Sequence, residues 1–177
     1  MKNLYIFILI IIVIFCTGFS DNIYITYKPD INTLEELFKS NLPRACDTTY
    51  TKVPRGLIIS IDESCFFNEG EARIKESSLY ILNKIVYLLK NLSNYCVVED
   101  HTQNNNFSKS DYKEDWELSM TRSANIVEYM IKYGHIEPTR IFALGFGEYM
   151  PFRDNVAPQK NMENRIDFVI IQYEAKR

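Results

Sequence analysis

The sequence predicts an α/β (α+β) two-layer sandwich, with two helices on one face of a small mixed sheet. Short apolar segments have the length of strands, longer segments repeat apolar residues at helical spacing, and together they follow the order βαβαββ. The 177 residues and the apolar fraction of 46% are sufficient for one packed core. The net charge of −3 argues against a nucleic-acid binder, which would usually present a basic surface.

The N-terminus is an unbroken apolar run, "LYIFILIIIVIFC", preceded by Lys2 and followed by Gly18 and Ser20. Small residues at these positions predict a secretory signal peptide over residues 1–20. An uncleaved membrane anchor and lipidation at Cys16 are the alternatives, since the run is close to the length of a spanning helix. All three interpretations place the rest of the chain outside the cytoplasm, in the periplasm or envelope, with a membrane contact through residues 1–20 if they are retained.

Residues 21–55 are predicted to be a leader and linker. "INTLEELFKS" fits a short helix capped by Asn32 or Thr33 and closed by Pro43. The following stretch, "NLPRACDTTYTKVPR", contains turn-forming residues and little periodicity, so it is interpreted as a linker.

The cysteines lack the paired spacing of a metal site. After cleavage of a signal peptide, Cys46, Cys65 and Cys96 would remain, an odd number in a compartment that permits disulfides. One disulfide with one free thiol is an alternative, and ordinary buried thiols are the favoured interpretation.

The predicted domain covers residues 56–177. Its elements are a strand in "GLIISID", a helix in "RIKESSLYILNKIVYLLKNL", a strand in "YCVVEDHT", a helix capped by Asp115 and ended by Gly134, and strands in "RIFALGFG" and "NRIDFVIIQYE". Helical spacing and β-branched runs support these assignments.

Five motifs in this domain resemble, in order, the OmpA C-terminal-like family, which includes Pal lipoproteins and the flagellar stator protein MotB. They are "FFNEGEA", "VEDHTQN", "WELSMTRSANIVEYMIKYG", "RIFALGFGEYMP" and "NRIDFVI". The sequences of these motifs are most similar to those of the MotB branch. The apolar N-terminal run has no carboxylate of the kind that an ion-conducting stator needs in its membrane helix. A stand-alone wall-binding protein is therefore favoured over a motor component.

The resemblance implies non-covalent binding of the peptidoglycan stem peptide, without catalytic residues, metal or cofactor. The implied binding residues are Arg122, Gln103, Thr102, His101, Asn104 and Arg165. An arginine can donate two parallel hydrogen bonds to a carboxylate, and a neighbouring acid can accept an ammonium group. Arg122→Ala is accordingly expected to leave folding nearly intact and to weaken wall binding by at least about tenfold.

The chain departs from the family pattern within this site. Gln103 stands where the family has an aspartate, Asp100 replaces a glycine, and Ile166 replaces a second arginine. A neutral amide loses charge assistance worth about 1 kcal/mol.

Three interpretations therefore stay open. The first is wall binding, the second is an envelope scaffold that contacts other proteins through a degenerate pocket, and the third is a MotB-related motor accessory. A thiol or hydrolytic enzyme using His101 with Cys65 or Cys96 ranks far behind, because no activating motif surrounds these residues.

Overall fold

A computed structural model of the chain describes residues 29–43, 46–103, 112–149 and 164–172. The helices in these residues are α1 (Ile31–Asn41), α2 (Leu79–Lys90) and α3 (Asp115–Lys132), and the strands are β1 (Thr48–Val53), β2 (Gly56–Asp62), β3 (Tyr95–His101), β4 (Ile141–Gly145) and β5 (Arg165–Ile171). None of the three helices in this part of the chain has the length and apolar character needed to cross a membrane. The predicted signal peptide or anchor over residues 1–20 lies outside the described residues.

The strands form one five-stranded sheet in the order β1-β2-β5-β3-β4. β3 and β4 are parallel, and the other neighbouring pairs are antiparallel. Since β5 runs antiparallel to both β2 and β3, those two strands are parallel to each other and end at the same edge of the sheet. The predicted mixed sheet is confirmed.

The hydrophobic core lies between one face of this sheet and the helices. Alternate residues of the inner strands point into it, because successive side chains of a strand face opposite sides. The inner strands contribute Leu57, Ile59, Ile61, Cys96, Val98, Ile166, Phe168 and Ile170, and β4 adds Ile141. The helices add Leu34 and Phe38 from α1, six α2 residues, and Ile126 and Met130 from α3. The predicted two-layer α+β sandwich is confirmed, with α1 as a third helix in the helical layer.

The predicted linker over residues 41–55 is wrong for the segment that forms a strand. Thr48–Val53 is strand β1, paired with β2 from Thr48↔Ile61 to Val53↔Gly56. Its sequence, "TTYTKV", is rich in the β-branched and aromatic residues of strands, but its threonines weaken the apolar pattern. The folded unit therefore begins before residue 56, with α1 and β1 as parts of it.

Helix boundaries differ from the predictions by a few residues. The side chain of Asp30, and not Asn32 or Thr33, caps α1 by accepting hydrogen bonds from the Asn32 and Thr33 amides at 2.9 and 3.2 Å. The α2 helix starts at Leu79, after a 3₁₀ turn, because the Lys75 amide donates to the Phe66 carbonyl at 2.9 Å and holds the preceding segment against the loop after β2. Asp115 is the first residue of α3 and not its cap.

The cysteines differ from the favoured interpretation of buried thiols. Cys46 and Cys65 form a disulfide with Cα atoms 6.1 Å apart, while Cys96 is a free, buried thiol in the core. Cys46 precedes β1 and Cys65 follows β2, so the pairing of these strands brings the two residues together. The sequence pattern around Cys46 concealed that strand and therefore this disulfide.

Candidate functional site

Arg122 lies in α3 and is 1% exposed. Its Nη1 donates to Glu63 Oε2 at 2.7 Å and to Thr102 Oγ1 at 2.9 Å. Glu63 directly follows β2 and Thr102 directly follows β3. The arginine therefore joins the ends of two parallel strands to the helix that covers them.

The rest of the guanidinium is bonded to main chain. Its Nε donates to the Glu71 carbonyl at 2.7 Å, Nη2 donates to the Asn68 carbonyl at 3.0 Å, and the group lies over the Phe67 ring at 4.9 Å. With the two bonds from Nη1, four of the five N–H groups that a guanidinium carries are used. Removal of this side chain would take away the cation beside Glu63 and leave two carbonyls without their donor, so the expectation that Arg122→Ala keeps folding intact does not fit the structure.

Thr102 and Asp100 add a second carboxyl group to this cluster. Thr102 Oγ1 hydrogen-bonds to both Glu63 Oε2, at 2.7 Å, and Asp100 Oδ1, while it accepts from Arg122. A hydroxyl has one proton, so it can donate to only one of the two carboxyl groups. Burial raises the pKa of Asp100 to about 8, despite opposing contributions from Thr102 and Arg122. With its pKa raised in this way, a protonated Asp100 can donate to Thr102 and leave the single hydroxyl proton of Thr102 for Glu63.

Gln103 lies beside this cluster and is exposed. Its amide N–H donates to Asn164 Oδ1 at 2.8 Å, and its carbonyl accepts from Asn164 Nδ2 at 3.2 Å. Asn164, which immediately precedes β5, thus fixes the backbone of Gln103 at the end of the sheet. The predicted binding residue Asn104 lies outside the described residues.

Two glycines of the "GFGE" motif allow the end of β4 to approach the start of α3. A Cβ on Gly145 would lie 2.2 Å from the amide nitrogen of Met120, and a Cβ on Gly147, at φ +55°, would lie 2.8 Å from that of Trp116. The Gly147 amide donates to Ser119 Oγ at 2.8 Å. This close contact fixes the first turns of α3, which carry Arg122.

His101 and Arg165 lie on the other face of the sheet. They are register partners, and their neighbours Asp100 and Ile166 face the core side. Both are at most 5% exposed, and Arg165 Nε donates to Asp167 Oδ2 at 3.1 Å. Of the predicted site residues within the described chain, the structure therefore brings together Thr102, Gln103 and Arg122, and places His101 and Arg165 elsewhere.

His101 belongs to a buried network of charges. Its Nε2 lies 3.3 Å from Asp167 Oδ2 and 3.8 Å from Glu99 Oε2, and its ring stacks on Phe146 at 5.0 Å. Burial alone would lower the pKa of His101, but hydrogen bonds with Asp167 and Glu99 raise it above its ordinary value. His101 is thus paired with the carboxylates of Glu99 and Asp167.

Glu99, His101 and Asp167 each offer a ligand atom within 4.8 Å of the others, as in a metal site. The carboxylates already have cationic partners. Arg55 donates to both oxygens of Glu99 at 2.8 and 3.0 Å, and Arg165 donates to Asp167. The trio is thus arranged as a buried ion-pair network.

Neither of the two cysteines considered for thiol chemistry is a reactive thiol. Cys65 is in the disulfide, and burial raises the pKa of Cys96 to about 12. A thiolate is the reactive form of cysteine, so neither residue supplies a nucleophile beside His101.

Glu63 is the residue of this cluster that the sequence analysis missed. Two strands connected through a helix are usually parallel, and the ends of parallel strands meet at one edge of a sheet. This rule places the residue after "GLIISID" beside the residue after "YCVVEDH", which pairs Glu63 with Thr102. The motif comparison gave the arginine but not the carboxylate that accepts its hydrogen bond.

The fold and site define a class of small α+β sandwich domain with a buried arginine at one end of a mixed sheet. Residues 66–165 match the OmpA family, and the chain belongs to that family.

A known protein of related sequence agrees with this assignment, and two solved structures have a similar fold. Motility protein B of Bacillus subtilis is 30% identical over 66% of this chain and 45% of its own length. The periplasmic domain of Helicobacter pylori MotB has a TM-score of 0.63 at 18% identity, covering 73% of this chain and 85% of that domain. The cell wall anchor of the T6SS from Pseudomonas aeruginosa has a TM-score of 0.62 at 17% identity, covering 82% of this chain and 100% of that one. The chain spans about half the length of the curated relatives it matches.

Proposed function

We propose that this domain binds the stem peptide of peptidoglycan non-covalently and thereby positions the protein in the cell envelope. The observation that carries the proposal is the cluster of Arg122, Glu63 and Thr102 at the end of the sheet, with Gln103 exposed beside it. Membership of the OmpA family supports it, as does the resemblance to a structure described as a cell wall anchor. In this proposal residues 1–20 export the domain or tether it to a membrane.

Gln103 provides a sharp test, because it is exposed and its main chain is held by Asn164. The full chain, kept soluble in a mild detergent, is co-sedimented with isolated sacculi that contain a diaminopimelate-type residue. Gln103→Asp should increase the bound fraction, since a carboxylate accepts an ammonium hydrogen bond more strongly than an amide does.

The matched control is Asn83→Asp. It makes the same change from amide to acid on α2, at an exposed residue whose Oδ1 accepts from Tyr129 Oη and would still do so. This variant should bind sacculi as the parent does. Equal binding by Gln103→Asp and the parent would show that Gln103 is not part of the pocket.

A second candidate function is an envelope scaffold that contacts another protein. The observation that favours it is that four of the five N–H groups of Arg122 are already bonded within the protein, to Glu63, Thr102 and two main-chain carbonyls. If neither the parent nor Gln103→Asp pellets with sacculi from the source organism, the scaffold replaces wall binding as the proposed function. A MotB-related motor accessory is one form of such a scaffold.

A further inference from the structure

We propose that His101 is a pH-dependent positioning residue for the strand-end site: its protonated imidazole bridges a carboxylate of β3 and a carboxylate of β5, and its deprotonation as pH rises weakens wall binding. The inference rests on the proposed wall-binding function and names a regulation of that site. His101 lies on the face of the sheet opposite to the core, so it acts through the strand ends and not by contact with the ligand.

The first step is the place of His101 in the sheet. It is the last residue of β3 and the register partner of Arg165, the first residue of β5. Two residues further on, Gln103 donates its amide N–H to Asn164 Oδ1 at 2.8 Å and accepts from Asn164 Nδ2 at 3.2 Å. The His101–Arg165 pair is therefore the last pair of the two strands before the contact that fixes Gln103.

The second step is the set of charges around the imidazole in the described part of the chain. Its Nε2 lies 3.8 Å from Glu99 Oε2 on β3 and 3.3 Å from Asp167 Oδ2 on β5. Arg55, from the turn between β1 and β2, donates to both oxygens of Glu99, and Arg165 donates to Asp167. β4 has no charged residue, and Phe146, which follows it, stacks on the ring. The imidazole is the group in this cluster whose ordinary pKa is closest to neutral pH.

The third step is the effect of a proton on this cluster. A nitrogen lone pair between two carboxylates is repelled by both, whereas an imidazolium is attracted to both. Burial lowers the pKa of His101, but hydrogen bonds with Asp167 and Glu99 outweigh burial and raise the pKa above its ordinary value. The stability that this bridge contributes is therefore fully present below the unfolded pKa of about 6.5, and it is lost as pH rises through the higher folded pKa.

The fourth step is the response of the site. Glu99 and Asp167 are register partners, so loss of the charge between them leaves two carboxylates directly opposite each other on neighbouring strands. Like charges in that arrangement destabilise strand pairing. This pair lies two residues from the strand ends that Asn164 joins at Gln103. Deprotonation of His101 should therefore loosen the end of the β3–β5 pairing and the position of Gln103 with it.

The experiment measures co-sedimentation of the full chain, in a mild detergent, with isolated sacculi between about pH 5.5 and about pH 8.5. The parent should bind at least about fivefold more weakly at the upper end of this range than at the lower end. His101→Gln keeps a hydrogen-bond donor but cannot titrate, so its binding should change much less with pH. A variant with the pH profile of the parent would overturn the proposal.

Two further variants exclude other origins of the pH profile. His135→Asn removes the second histidine of the chain, which is exposed, and asparagine tolerates the φ of 55° at this position. This control should keep the profile of the parent. Burial raises the pKa of Asp100 to about 8, so Asp100→Asn removes a second titrating group and should keep the part of the profile that His101 supplies. A flat profile in Asp100→Asn would assign the pH dependence to Asp100 and reject the role of His101.

Reciprocal linkage provides a test on the parent itself, which decides if His101→Gln fails to fold. Because the chain has two histidines, NMR can follow both imidazole signals in the full chain, and His135→Asn assigns them. If protonation of His101 favours binding, soluble muropeptides from digested sacculi must move its titration midpoint to higher pH. An unchanged midpoint at saturation would contradict the proposal. Binding that does not vary with pH would reject only this inference, whereas absence of binding to sacculi at every pH would reject the proposed function as well.

Discussion

At the scale of single residues, Arg122 has the largest fully buried side chain among the residues that the structure describes, and it binds two main-chain carbonyls as well as Glu63. Its buried positive charge is compensated by the carboxylate of Glu63, whose Oε2 lies 2.7 Å from Arg122 Nη1. The same side chain thus contributes to stability and to the proposed site, and substitutions must separate the two.

Arg122→Ala should lower the free energy of unfolding by about 3–5 kcal/mol, because it leaves the Glu63 carboxylate without its buried partner. Urea denaturation followed by circular dichroism measures the change. Lys132→Ala, at an exposed ion pair in the same helix, should leave the midpoint unchanged. Equal, small shifts for both variants would show that the Arg122 network contributes little to stability.

Asp100 should make stability depend on pH. Its pKa in the folded protein is raised to about 8 by burial, so the native state holds a proton that the unfolded chain releases above about pH 4. Its contribution to stability is therefore fully present below the unfolded pKa and is lost as pH rises towards 8.

The variant Asp100→Asn keeps the shape of the protonated acid but cannot ionise. Between pH 5 and about pH 8, the stability of this variant should decrease less with pH than that of the parent. Thermal unfolding across that range measures the difference. Parallel pH profiles for the parent and the variant would indicate that Asp100 is ionised in the folded protein.

At the scale of elements, the disulfide connects the segment before β1 to the 3₁₀ turn that starts at Glu63. It thereby fixes the edge strand to the inner strand whose end contributes to the site. A cross-link of this kind acts mainly by restricting the unfolded chain.

Replacing the pair by Cys46→Ser and Cys65→Ser should lower the free energy of unfolding by about 3 kcal/mol, given the sequence separation of 19 between the two cysteines. Urea midpoints of the variant and the oxidised parent provide the measurement, and the parent treated with a reductant should match the variant. Identical midpoints in all three samples would show that the cross-link restricts little in the unfolded state.

The sequence was sufficient to predict the helices and strands whose apolar residues have a strong periodicity. The β2 run "GLIISID" and the apolar stripe of α2 were identifiable because their apolar residues follow the spacing of a strand and of a helix. β1 was not, because its threonines and Lys52 hide the alternation of an edge strand. Glu63 was missed for a different reason: its role depends on which strand ends meet, and that is a property of the whole sheet.

At the scale of the whole molecule, the site forms where three strands share one edge of the sheet. Glu63 follows β2, Thr102 follows β3 and Asn164 precedes β5, so the antiparallel placement of β5 brings all three to the same end. The opposite face of the inner strands carries the buried network of Glu99, His101 and Asp167. Core packing and site assembly therefore depend on the same strand order.

The central position of β5 has a consequence for synthesis. A chain that emerges from its N-terminus presents β2 and β3 long before Arg165–Ile171 is available to pair with both. Until then each of the two earlier strands has an open edge on which another chain could add. The sheet and the site at its end can therefore form only once β5 is available. A chain that is incompletely synthesised or translocated has neither the complete sheet nor the site.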